Sequence, residues 1–86
     1  MPTVLQVQGW RLYFYSNEGN EPMHVHAVKA DAECKYWLLS DRFDIIEEFA
    51  YNCAPRLRRE IRQIIFEHFD QITVAWREHF GGDLAK

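Results

Sequence analysis

Cysteine is scarce in this chain of 86 residues: Cys34 and Cys53 are the only two, and they form no Cys-x-x-Cys pair. That excludes a disulfide framework and points to reduced thiols in a cytoplasmic protein. Cys34, on an expected strand, reads as a packing residue. Long hydrophobic runs are also missing. No stretch approaches the ~20 apolar residues of a membrane span, and the residues from Met1 to Gln8 lack the basic start and apolar run of a secretory signal. Positive charge is not in excess, since 10 Lys and Arg face 13 Asp and Glu for a net charge of −3. A protein that coats nucleic acid over its whole surface is disfavoured, while a local basic patch stays open.

What is present suffices for a core, with 48% apolar and 15% aromatic residues. The length sets one domain, residues 1–86, and one so small that a homodimer or a partner protein is expected to support it.

Taken in order, residues 3–7 read as a short extended lead-in punctuated by Gly9. Residues 10–16 alternate, with Trp10, Leu12 and Phe14 on one face and Arg11, Tyr13 and Tyr15 on the other, the pattern of a half-buried strand. A second strand is expected over 23–30 and a third over 33–39, where Cys34, Tyr36 and Leu38 oppose Glu33, Lys35, Trp37 and Leu39. Short links make the three an antiparallel meander. Residues 44–51 fit either period: Ile45, Ile46, Phe49 and Ala50 have helical spacing, while Ile45, Phe49 and Tyr51 share a strand face. Pro55 suits the first turn of a helix, with Asn52 a candidate cap. Leu57, Ile61, Ile64, Ile65, Ile72 and Trp76 then recur at three- and four-residue spacing up to Gly81 and Gly82, which predicts one long helix over 55–80. Phe66 and Phe69 widen its apolar stripe, so these two are the expected subunit or partner interface.

The chemistry concentrates in the run Glu18-Gly19-Asn20-Glu21-Pro22-Met23-His24-Val25-His26. Side chains two apart on a strand share a face, so His24 and His26 are expected to project together with Glu18 folded back beside them, on an exposed or half-exposed surface. Histidine serves as acid, base or metal ligand near neutral pH. His24, His26 and Glu18 are therefore the candidate catalytic residues. His24 and His26 are also candidate metal ligands, although no third ligand is fixed and no cofactor is implied. The plainer alternative is a pair of structural histidines bonded to neighbouring hydroxyls or carboxylates.

Arg56, Arg58, Arg59 and Arg62 crowd the first two turns of the helix, where the helix dipole disfavours positive charge. Either Asp41, Asp44, Glu47 and Glu48 neutralise them in a surface network, or Arg58, Arg59 and Arg62, with Arg11, form an anion-binding group for phosphate or an acidic partner.

These pieces together resemble the domain-of-unknown-function family 4160 of small bacterial proteins. The resemblance rests on Met1-Pro2, the strand from Gly9 to Glu18 with its Ser16-Asn17-Glu18 end, the Pro22 to His26 segment, Trp37-Leu38, and Trp76 with Phe80. Two positions depart from the family pattern: Met23 stands where a second proline is usual, and Asn52-Cys53 where a glycine is. The resemblance implies an α+β fold, an antiparallel sheet of three to four strands covered by one long C-terminal helix, and favours a strand at 44–51. It also implies loci resembling toxin–antitoxin modules, since members are often encoded beside a family 2442 domain. The leading expectation is a protein-interaction module, one half of such a pair. The alternative is a metal-independent ribonuclease or phosphotransfer enzyme using the His pair, and the third is a metal-binding protein. Nucleic acid is possible but not favoured as a partner.

Overall fold

The computed structural model describes residues 3–17 and 19–80. Five antiparallel strands run in the order β1 (Thr3–Val7), β2 (Trp10–Tyr13), β3 (His24–Lys29), β4 (Ala32–Leu39) and β5 (Asp44–Tyr51). Each strand pairs with its neighbour in sequence, so the sheet is a meander throughout. The lead-in is thus a fifth, edge strand. Gln8 and Gly9 join it to β2 with φ of 54° and 84°, the two left-handed residues of a type I′ hairpin, whose twist matches that of the flanking strands. Gly9 is half of that turn rather than a mere break. Ala30, at φ 52°, turns the next hairpin between Lys29 and Ala32. Residues 44–51 are a strand, the longest with β4, and a bulge at Glu48 absorbs the mismatch in their periodicity.

β2 is shorter than its alternation suggests. The ladder ends at Tyr13, yet Phe14 keeps its place on the core side with 1% exposure. Core-facing Trp10, Leu12, Val25, Ala27, Cys34, Tyr36, Leu38 and Ile45 pack under the helices.

The expected single helix is two: α1 (Pro55–Glu67) and α2 (Phe69–Phe80), separated at His68, whose φ of −114° leaves the helical region. A straight helix over 55–80 would be about 39 Å long, against about 26 Å for an eight-residue strand. The break keeps both halves on the sheet: Ile61, Ile64 and Ile65 enter the core from α1, and Phe69, Ile72 and Trp76 from α2. Pro55 does open the helix, but Ala54 occupies the capping position and supplies no side-chain bond. Asn52 instead donates its amide to the Asp31 carbonyl at 3.1 Å. Gly81 and Gly82 lie outside the described residues.

Candidate functional site

The core residues of both helices pack on one face of the sheet; α2 also reaches the other face at its His24 end, through Trp76, and among the described residues no helix lies over the rest of it. Register fixes what that second face carries. Tyr13 pairs with His26, and His26 with Lys35; His24 pairs with Trp37, and Trp37 with Ile46; Lys35 pairs with Phe49, and Glu33 with Tyr51. An outward sheet face is usually polar. This one is aromatic.

The two histidines do share it. Their ring centroids are 5.2 Å apart and nearly perpendicular. Neither is exposed as expected, however: His24 is fully buried and His26 is 5% exposed. The strand places them together, and bulky neighbours then bury them. His24 lies 5.2 Å from the Trp37 ring and 4.9 Å from Trp76 of α2, with Nδ1 2.9 Å from the Pro22 carbonyl oxygen and 3.9 Å from Glu21. A ring so enclosed cannot touch a substrate in this conformation. His26 stacks on Tyr13 at 5.3 Å and meets the edge of the more exposed Tyr15 at 4.8 Å, so it is the outer member of the pair. Glu18 falls outside the described residues.

Lys35 completes the cluster, and sequence reading placed no role on it. Its side chain is 10% exposed, with Nζ 3.5 Å from Glu21 and 3.3 Å from Glu48, over the Trp37 ring at 4.4 Å. An ammonium removed from water needs such carboxylates, and breaking the set would strand a charge. The bulge at Glu48 and the turn at Glu21 supply them, neither of which strand alternation reveals. Arg11 sits on the same face, over Tyr13 at 4.7 Å. Burial first, then the Tyr15 hydroxyl, pushes the Tyr13 pKa upward, so its phenol stays protonated.

The arginines divide. Arg11 is on the histidine face, whereas Arg58, Arg59 and Arg62 belong to α1 on the opposite side of the sheet. One site cannot use both sets. Arg58 is bidentate to Glu47, at 3.1 and 2.9 Å, and Glu47 also accepts the Tyr36 hydroxyl at 2.9 Å. The expected network ends there: Glu48 turns to Lys35, and Asp44 accepts the Ile45 amide at 2.8 Å. Among the described residues no carboxylate pairs with Arg56, Arg59 or Arg62.

The expected helical interface is also revised. Phe69 is 3% exposed, inside the protein's own core: four residues after Ile65 and three before Ile72, it continues their buried stripe. Phe66 is half-buried. The ring left outside is Phe43, 56% exposed in the β4–β5 turn and 4.8 Å from Phe69. It adopts φ 51°, which a bulky residue rarely does. Cys34 is buried, and burial above all pushes its thiol up to about 12, which suits packing and not nucleophilic chemistry.

Among the described residues, no three His, Cys, Asp or Glu side chains group as a metal site, and no helix is long and apolar enough to cross a membrane. The sequence model of a family described as domain of unknown function (DUF4160) matches residues 9–77, which span β2 through most of α2. No curated protein and no solved structure matches.

Proposed function

Because this chain belongs to the DUF4160 family, whose description assigns no activity, we propose its function from its surface: a protein-interaction module, one half of a small two-component system such as a toxin–antitoxin-like pair. The observation that carries this reading is the exposed aromatic part of the sheet face, around Ile46 and Tyr51 and away from the His24 end that Trp76 covers. Ile46 is 53% exposed there and Tyr51 61%, beside half-buried Trp37 and Phe49. Large apolar groups left together in water favour being covered, and aromatic rings are the usual anchors of interfaces. The rim is acidic, with Glu21, Glu33 and Glu48 against Arg11 and Lys35. The partner is therefore a small protein with an apolar surface edged by Lys and Arg, and charge complementarity sets its orientation.

Co-expression with the product of the adjacent reading frame tests this. The two proteins should co-elute, and Ile46→Glu with Tyr51→Glu should abolish co-elution while circular dichroism stays native. A chain that stays monomeric by light scattering and ignores that product, or a variant that still co-elutes, sinks the reading. The enzymatic alternative is less well supported, because His24 is enclosed and Arg58 lies on the far side of the sheet. It predicts RNA cleavage lost in His26→Ala.

A further inference from the structure

The arginines of α1 are unexplained by an interaction surface on the opposite face. Arg56, Arg59 and Arg62 are exposed, and among the described residues none pairs with a carboxylate. This is unusual in a chain with more acidic than basic residues. Successive members are three residues apart, within one turn, and Arg56 and Arg59 lie nearest the positive end of the helix, so mutual repulsion and, for those two, the dipole oppose them. Glu60 attracts Arg56 at longer range and Arg62 lies 5.9 Å from the centre of the Tyr36 ring, but the acidic residues close by make their hydrogen bonds elsewhere. Glu47 holds Arg58 and Tyr36; Glu60 accepts the Trp10 indole N–H at 2.7 Å and Lys29 at 2.9 Å; Glu67 accepts from Gln63 at 3.2 Å.

The surface around them is shaped. Pro55, Arg58, Arg59 and Arg62 line a hollow of about 300 Å³. A second, of about 370 Å³, is lined by Gln8, Arg56, Arg59 and Gln63 together with two carboxylates, Glu60 and Glu67, so the first hollow is the more cationic of the two. Arg59 forms the wall between them. From Arg56 to Arg62 the helix rises about 9 Å, more than one anionic group spans. Every basic residue of α1 is arginine, none lysine. Guanidinium binds tetrahedral and planar oxyanions with paired donors, where lysine offers a point charge.

We propose that this face of α1 binds the phosphodiester backbone of single-stranded nucleic acid, with Arg59 between two successive phosphates and Arg56 and Arg62 on either side. The contacts are to phosphate, so binding is independent of base sequence and strongly salt-dependent. The proposal goes beyond the sheet-face reading, and the two fail separately because their residues lie on opposite faces.

The test is fluorescence anisotropy with a labelled mixed-sequence RNA of roughly 12 nucleotides, at several salt concentrations. Wild type should bind at low salt. The triple variant Arg56→Gln, Arg59→Gln, Arg62→Gln should lose about tenfold or more in affinity, and the slope of log K against log salt should flatten by about 2. Arg59→Gln alone should show a partial loss, which covers misfolding of the triple variant. Arg77→Gln, an exposed arginine of α2, should bind as wild type does. Absence of wild-type binding at low salt, an unchanged triple variant, or an equal loss in Arg77→Gln overturns the proposal. So does displacement of the RNA by polyaspartate at equal charge, which would assign the face to an acidic protein instead.

Discussion

Truncating Phe69 to alanine separates a core residue from an interface residue. The ring is 3% exposed, and it meets Phe43 at 4.8 Å and Phe66 at 6.5 Å. Removing a buried Phe ring loses its transfer energy and leaves a cavity, together costing about 3–5 kcal/mol. Phe43, at 56% exposure, can swing partly into the gap, which argues for the lower end of that range. A domain of this size has total stability of about 5–10 kcal/mol, so Phe69→Ala should remove between a third and most of it. The melting temperature should fall by about 15–25 °C, at roughly 5 °C per kcal/mol. Phe66→Ala, starting half-buried, should cost only about 1–2 kcal/mol. Urea titration followed by the fluorescence of Trp10, Trp37 and Trp76 measures both. Equal costs for the two, or less than about 1 kcal/mol for Phe69→Ala, would refute the inward placement of Phe69 and restore it as an interface residue.

Glu60 predicts a pH dependence. The Trp10 indole first, and then Lys29, lower its pKa below the ordinary 4.5. Its folded pKa is the lower one, so its contribution is present above pH 4.5 and disappears as pH falls through the folded value; Glu60→Gln should flatten that part of an acid-denaturation curve. Cys34, buried and with its thiol pushed up to about 12, should resist iodoacetamide at pH 8 until urea unfolds the chain, as read by intact mass. His24→Ala should destabilise by about 2 kcal/mol, since packing against two indoles and a bond to the Pro22 carbonyl are lost together; an unchanged melting curve would show the ring is not enclosed. At Gly19 an added Cβ would stand 2.6 Å from Phe80 Cδ1, so Gly19→Ala should displace that ring and lower the melting temperature by several degrees.

The histidine face shows how far local pattern reaches. A period of two places His24 and His26 on one side whatever the rest of the chain does, and they are there, 5.2 Å apart. The same rule says nothing about what stands over them. Trp76 is 52 positions away in sequence, and only the course of α2 brings its ring to 4.9 Å from His24. Lys35 alternates outward like any surface lysine. It is buried because a turn and a bulge deliver Glu21 and Glu48 to it.

Local chemistry therefore determined the strands from Trp10 to Leu39, their meander, the start of the helix at Pro55 and the core face of Trp10, Leu12 and Phe14. These follow from side-chain periodicity and turn residues within a few positions of each other. The strand at β5 needed the resemblance as well, because its sequence satisfies both periods and a bulge resolves the conflict. The tertiary structure alone decided the rest. It broke the long helix at His68, since a straight one would overhang the sheet. It buried both histidines, enclosed Lys35 between Glu21 and Glu48, and left Arg59 and Arg62 without a carboxylate partner among the described residues. Each of these depends on groups far apart in sequence sharing one volume, and neither spacing nor propensity carries that information.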